Sequence, residues 1–154
     1  MHYIIPARKD SKGIPFKNRK LFDYTAKTIP KSECKNTIVS SNDSQIISLA
    51  KEYGFIIHNR SESSSSDTAS TKDFMLEVIS DLCLTGDICM LYLTYPHRTW
   101  QEIKKAQVFY RKHGARSLLC REEVETHPYV CLYEDGDFKG KQVIDHDLCR
   151  RQDY

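Results

Sequence analysis

Short apolar runs alternate along the chain with segments whose apolar residues recur at helical spacing. The runs that predict strands are residues 2–6, 37–40, 55–57, 88–93 and 117–120. The segments that predict helices are residues 44–53, 68–82 and 99–113. Strands that alternate with helices of this length are typical of βαβ units. The pattern therefore predicts an α/β fold with a mainly parallel, doubly wound sheet.

Helix starts are marked by residues that cap helices. Thr99 is followed three positions later by Glu102, which is the spacing of a capping box. Asp67 and Thr68 are candidate caps for the helix before it. The serine-rich run at residues 61–66 is interpreted as a loop, either a plain connector or a lid.

The character of the chain changes after residue 128. Residues 129–133 and 138–144 are separated by a polar turn that contains Gly136. This arrangement predicts an antiparallel hairpin added to the sheet near the C-terminus.

Length and composition narrow the class of protein. The 154 residues are 40% hydrophobic and 29% charged, with a mean hydropathy of −0.56. This predicts one domain over residues 1–154 with a true core, and it excludes a disordered chain. The apolar runs are far shorter than the roughly 18–20 residues of a membrane span. With no signal-peptide pattern at the N-terminus, we expect a soluble, cytoplasmic protein.

The cysteines and histidines do not indicate a function. The six cysteines show no pair at the spacing of a zinc or redox motif. Cys89, Cys120 and Cys131 lie in apolar runs, which indicates reduced thiols in the core. His58 and His113 lie at element ends and are expected to be ordinary surface or interface histidines.

The net charge of +2 hides an uneven distribution. Residues 1–31 contain eight bases and two acids, a net charge of +6, so the remaining chain carries −4. A basic segment in a nearly neutral protein indicates a local anionic ligand. A nucleic-acid-binding domain would be basic as a whole, so that class is disfavoured and no nucleic-acid partner is expected.

The basic segment includes the loop that leaves the first predicted strand, residues 6–18. Ligands of open α/β sheets bind at the carboxyl ends of the strands. Arg8 and Lys17 could reach phosphate oxygens from opposite sides, Arg as a fork and Lys as a point charge. The loop lacks the glycine spacing of a P-loop. It is either a phosphate cradle or a merely basic loop.

This loop resembles the N-terminal signature of the acylneuraminate cytidylyltransferases, and the resemblance continues in order along the chain. The matching segments are residues 4–8, 11–15, 17–18, 38–43, 60–71, 96–99, 127–128 and 150–153. The resemblance implies a Rossmann-like fold of the nucleotide-diphospho-sugar transferase type. It also implies transfer of CMP from CTP to an acidic sugar, such as sialic acid or a related nonulosonic or octulosonic acid. Pyrophosphate would be released.

The resemblance also implies roles for individual residues. Arg8 and Lys17 would be catalytic, stabilising charge on the leaving pyrophosphate. The residues implied in nucleotide binding are Ala7, Arg8, Ser11, Lys12, Gly13, Lys17, Asn18, Arg60, Ser70 and Thr71. The residues implied in sugar binding are Tyr92, Thr94, Arg98 and His127. Mg²⁺ is the implied cofactor, and a homodimer is one oligomeric state that the resemblance leaves open.

The sequence departs from the family in two places that bear on function. Tyr92 stands where the family usually has glutamine, which favours a related acidic sugar as much as sialic acid. The family's metal-binding aspartates would follow Tyr154, so no metal ligand is assigned. The alternative to an enzyme is therefore a catalytically inactive nucleotide- or sugar-binding module of the same fold.

Overall fold

The computed structural model describes residues 1–9, 14–66 and 68–120, together with the backbone of two strands at 132–134 and 140–142. The chain divides into two compact units, Met1–Gly114 and Ala115–Tyr154.

The first unit is built on a four-stranded sheet in which all strands are parallel. The strands are β1 (His2–Pro6), β2 (Thr37–Ser41), β3 (Ile56–Asn59) and β4 (Ile88–Met90). Their order across the sheet is β3-β2-β1-β4. Ile4 of β1 is level with Ile38 on one side and Met90 on the other. The predicted parallel α/β fold is thus confirmed.

Helices cover both faces of this sheet. They are α1 (Lys17–Thr28), a 3₁₀ helix (Lys31–Asn36), α2 (Ser44–Glu52), α3 (Glu62–Ser65), α4 (Thr71–Asp81) and α5 (Trp100–Lys112). Alternate residues of β1 point to opposite faces, so Tyr3 and Ile5 pack in one apolar cluster and Ile4 in another. The first cluster contains residues of α1, α2 and α5, and the second contains residues of α4. The sheet is therefore doubly wound.

Helix caps agree with the sequence in one case and differ in another. The predicted capping box of Thr99 and Glu102 is present at the start of α5. The helix predicted from residue 68 instead begins at Thr71, where Ser70 and Asp73 form a reciprocal capping box. Thr68 therefore does not cap this helix, because Ser70 already satisfies its backbone donors. The serine-rich run is also not a simple loop, since residues 62–65 form α3.

The second unit contains two short strands, β5 (Leu132–Glu134) and β6 (Gly140–Gln142). They pair antiparallel, with Leu132 level with Gln142. The predicted antiparallel hairpin is therefore present, but among the described residues it forms a two-stranded sheet of its own, and its predicted addition to the main sheet is not seen. Residues 117–120 form no strand, and Cys120 is exposed rather than buried. An apolar run becomes a strand only where a neighbour supplies hydrogen bonds, which a local pattern cannot show.

Among the helices of the described residues, none combines the length and apolar character needed to cross a membrane.

A buried carboxylate joins the loop after β2 to the start of α1. Asp43 is 1% exposed and accepts from Arg19 Nε at 2.7 Å and from the Gln45 backbone N–H at 3.0 Å. Burial raises the pKa of Asp43, but the hydrogen bonds from Arg19 and Gln45 outweigh it and hold the pKa below its usual value. The same carboxylate therefore caps α2 and anchors α1.

Asp43→Ala is expected to lower the free energy of unfolding by about 2–4 kcal/mol, because it removes both a helix cap and a charge-assisted hydrogen bond. Asp43→Asn keeps the cap and should lose less. Since the pKa is depressed in the folded state, the stabilisation is complete above about pH 4 and is lost as the pH falls through the folded pKa. Urea denaturation across this range measures it. Equal stability of Asp43→Asn and the unsubstituted chain at pH 7 would contradict this.

Ser70→Ala is expected to lower the free energy of unfolding by about 1 kcal/mol, because it removes the cap of α4. Thr68→Ala serves as the matched control, since Thr68 lies outside the capping box and should change stability by less than about 0.5 kcal/mol. Thermal or urea denaturation of both variants distinguishes the two. A larger loss of stability in Thr68→Ala than in Ser70→Ala would contradict the assignment of Ser70 as the cap of α4.

Candidate functional site

A cavity of about 220 Å³ lies where β1 and β4 end side by side. From β1 the chain proceeds to β2 and β3 on one side, and β4 then returns to the other side of β1. This point of reversal is where open α/β sheets bind ligands. The lining residues are Pro6, Arg8, Lys17, Asn18, Arg60, Ser66, Ala69, Ser70, Thr71, Phe74, Tyr92, Leu93 and Thr94.

Arg8 follows β1 and contacts the serine-rich segment across the cavity. One of its terminal nitrogens donates to the carbonyl oxygens of Ser65 at 3.2 Å and Ser66 at 3.0 Å. The segment is itself ordered by α3, whose cap is the Ser61 side chain. Arg8 is thereby held with its charge at the cavity wall.

Arg60 follows β3 and is held from three directions. Its backbone N–H donates to Ser41 O at 3.0 Å, its Nε donates to Ser64 O at 3.0 Å, and its guanidinium lies 4.5 Å from the centre of the Phe74 ring. Burial lowers the pKa of Arg60, and the nearby charge of Arg8 lowers it further. Arg60 nevertheless remains charged, because guanidinium groups ionise far above neutral pH. Two positive charges therefore stand close together at one wall.

The start of α1 forms the opposite part of the wall. Phe16 has a left-handed backbone (φ 56°), and this conformation turns the chain directly into the helix at Lys17. Asn18 Nδ2 donates to Arg8 O at 2.8 Å, which fixes the helix start against the loop after β1. No acidic residue lies in the first turn of α1. Its partial positive charge adds to that of Lys17 and favours an anion.

The end of β2 and the residue after it hold the loop after β1 in place through hydrogen bonds. The Ala7 backbone N–H donates to Ser40 O at 2.9 Å, and its carbonyl accepts from Ser41 Oγ at 2.6 Å. The Lys9 backbone N–H donates to Asn42 Oδ1 at 2.8 Å. Ala7 is buried and does not line the cavity, so it supports the loop through its backbone.

The start of α4 and the end of β4 complete the cavity. The Ser70 hydroxyl exchanges hydrogen bonds with Asp73 and caps α4. This side chain, predicted to bind nucleotide, therefore already has hydrogen-bond partners within the protein. The hydroxyls of Thr71 and Tyr92 are 3.5 Å apart. Tyr92 and Thr94 are exposed on the cavity side of β4.

Arg98 does not line the cavity. Its guanidinium donates to the backbone carbonyl oxygen of Tyr92, and burial lowers its pKa. Its Nε is buried without a hydrogen-bond partner among the described residues. Arg98 thus supports the segment after β4 that carries Tyr92 and Thr94.

The structure brings eight of the predicted site residues to one cavity. Six come from the predicted nucleotide side and two from the predicted sugar side: Arg8, Lys17, Asn18, Arg60, Ser70 and Thr71, with Tyr92 and Thr94. The predicted residues Ser11, Lys12, Gly13 and His127 lie outside the described residues. Phe74 and the carbonyl oxygens of Ser64, Ser65 and Ser66 were not predicted from the sequence. A backbone acceptor leaves no signal in the sequence, and Phe74 is indistinguishable there from any core residue.

The described lining residues include three cations and no carboxylate. They therefore suit an anionic ligand and do not by themselves form an Mg²⁺ site, because Mg²⁺ is held by carboxylates or by phosphates of the ligand. The prediction of Mg²⁺ stays a prediction, and no metal ligand is assigned here.

Known proteins with similar sequences point to one family. The chain is 30% identical over 144 residues to the N-acylneuraminate cytidylyltransferase of Streptococcus agalactiae serotype V. This match covers 86% of this chain and 35% of that protein. It is 29% identical over 136 residues to the pseudaminic acid cytidylyltransferase of Campylobacter jejuni, covering 79% and 58% of the two chains. The chain thus spans about a third of the streptococcal relative.

A solved structure shares the fold. The structure of CMP:2-keto-3-deoxy-manno-octonic acid synthetase complexed with CTP superposes with a TM-score of 0.56 over 74% of this chain and 48% of that chain, at 17% identity. At this identity the likeness shows the Rossmann-like fold alone. The family model described as "Cytidylyltransferase" matches residues 2–153, and the chain therefore belongs to the cytidylyltransferase family.

Proposed function

We propose that this chain binds CTP in the cavity between β1 and β4 and transfers CMP to an acidic sugar with release of pyrophosphate. The observation that carries the proposal is the concentration of Arg8, Lys17 and Arg60 around a cavity that has no described carboxylate. Membership of the cytidylyltransferase family supports CTP as the anion.

The triphosphate occupies the side of the cavity formed by Arg8 and the start of α1. Arg8 presents a planar fork that suits phosphate oxygens, and Lys17 presents a point charge from the first turn of the helix. Asn18 holds the start of α1 beside the loop that carries Arg8, since its side-chain amide donates a hydrogen bond to Arg8 O. The cations need little rearrangement when the nucleotide binds, and this lowers the cost of binding.

The acceptor sugar occupies the side formed by Tyr92 and Thr94. Both residues follow β4, so they face the triphosphate across the gap between β1 and β4. The relatives are named for N-acylneuraminate and pseudaminic acid, which supports an acidic nine-carbon sugar as acceptor. Tyr92 offers one phenolic hydroxyl to this substrate.

The reaction is an in-line displacement. The anomeric hydroxyl of the sugar forms a bond to the α-phosphorus of CTP and releases its proton to solvent, while the bond to the bridging oxygen breaks and pyrophosphate leaves. Arg8 and Lys17 stabilise the negative charge that develops on the leaving group. The other lining residues hold the two substrates in line, which removes much of the entropic barrier.

Lys17→Met is expected to weaken CTP binding about 10-fold, because it removes one charge-assisted contact. Lys20→Met is the matched control, since Lys20 lies on the same helix, is exposed and does not line the cavity. Isothermal titration with CTP at two salt concentrations measures both. Equal CTP affinities for the two variants would show that Lys17 does not contact the triphosphate.

Tyr92→Gln is expected to change the KM for the acceptor by several-fold and to leave CTP affinity within about two-fold, because the residue lies on the sugar side. Pyrophosphate release from CTP with Mg²⁺ and a panel of nonulosonic and octulosonic acids measures this. Release with any of these acids supports the enzyme. CTP binding without release, in this chain and in a longer form of it, would instead indicate an inactive binding module.

A further inference from the structure

A second polar cluster lies away from the cavity, between β3 and the far end of α4. His58 Nε2 is 3.2 Å from Asp81 Oδ2 and 4.0 Å from Glu77 Oε1. One ligand atom from each of the three residues lies within 4.8 Å of the others. Glu77 and Asp81 are four residues apart on α4, so they share one face of the helix.

His58 is held in one orientation. It is 3% exposed, which contradicts its expected place on the surface, and its Nδ1 is 3.0 Å from Ser40 Oγ on the neighbouring strand β2. A histidine that binds a metal usually makes a hydrogen bond through its other ring nitrogen, and this bond sets the tautomer. Ser40 can fill that role and leave Nε2 facing the two carboxylates.

Glu77 is also pre-oriented and is ionised. Its two oxygens accept from the Ser61 backbone N–H at 2.8 Å and from Ser61 Oγ at 3.1 Å. Burial raises the pKa of Glu77, but hydrogen bonds from Ser64 and Ser61 outweigh it and the pKa lies below its usual value. The carboxylate is therefore charged at neutral pH, and Ser61 holds it on the side of α4 that faces His58.

The cluster is accessible. Arg60 is close enough to Glu77 for their charges to interact, but the two form no ion pair among those of the described residues. Glu77 and Asp81 line a second cavity of about 620 Å³, which shares only Ser66 and Ala69 with the first, and the Asp81 side chain is 56% exposed. Among the ion pairs of the described residues, the cation opposite these two carboxylates is His58, and only when it is protonated. The negative charges of two carboxylates at one imidazole nitrogen repel each other. A proton on that nitrogen, or a metal ion bound between the three groups, offsets this repulsion.

We propose that His58, Glu77 and Asp81 form a binding site for one divalent transition-metal ion, such as Zn²⁺ or Co²⁺. One imidazole nitrogen and two carboxylate oxygens are a donor set that such ions accept, and water from the cavity completes the coordination. In a tetrahedral site with bonds of about 2.1 Å, ligand atoms lie about 3.4 Å apart. The separation of 3.2 Å already fits, and a small rotation of Glu77 brings in the third ligand.

The consequence of binding is structural. The ion links β3 to α4, and these two elements carry residues of the other cavity at their ends. Arg60 lies two residues after His58, and Thr71 begins the helix that carries both carboxylates. A bound ion therefore stabilises the frame that holds these residues, without contacting the nucleotide.

Titration of the full chain with Co²⁺, monitored by visible absorption, tests the site. One equivalent is expected to bind with d–d bands and without a thiolate charge-transfer band, since no cysteine belongs to the cluster. Zn²⁺ at about 100-fold above its Kd should raise the unfolding temperature by several degrees, because it binds only the folded state. No nucleotide is used, so failure here leaves the proposed CTP site untouched.

Asp81→Asn and Glu77→Gln are expected to lower the Co²⁺ affinity at least about 10-fold and to remove the Zn²⁺-induced shift. Both changes preserve shape, and circular dichroism shows that the variants are folded. His97→Gln is the matched control, since His97 is exposed and outside the cluster. Unchanged affinity in Asp81→Asn and Glu77→Gln, an equal loss in His97→Gln, or no saturable binding by the unsubstituted chain at about 0.1 mM Co²⁺ would overturn the proposal.

Discussion

The reversal of strand order between β1 and β4 is the constraint on which the site depends. Crossovers between parallel strands are right-handed, so β1, β2 and β3 extend in one direction with α1 and α2 on one face. The chain then returns from β3 to the other side of β1, and this crossover places α4 on the face of the sheet opposite α1 and α2. The loops after β1 and β4 consequently leave the sheet in different directions, and the cavity is the space that they leave between them.

Cations could not gather at this point without neutral partners. Arg8 and Arg60 both donate to backbone carbonyl oxygens of residues 64–66, which compensate desolvation without cancelling the charge. Asp43 and Arg19, which do not line the cavity, hold the beginning of α1 in place, so the negative charge of Asp43 lies outside the cavity. The described cavity wall therefore remains positive, which is the charge that the proposed anionic ligand needs.

Local rules recovered some elements and failed at others for physical reasons. The capping box of Thr99 and Glu102 was correctly predicted, because both partners lie within one turn. The cap of α4 was placed too early because Asp67, Thr68 and Ser70 are all good caps, and only packing of Phe74 and Val78 sets the start of the helix. His58 was expected at the surface, since its partners Glu77 and Asp81 come from a helix about 20 residues later.

The sequence by itself determined the parallel α/β architecture and the basic segment that supplies Arg8, Lys17 and Asn18, because alternation of apolar residues and local charge are properties of short segments. Only the tertiary structure decided which groups meet. Arg60 joins Arg8 through backbone carbonyls, and His58 joins two carboxylates on α4. Such meetings follow from strand order and helix placement, which arise from burial over the whole chain and leave no pattern in any one segment.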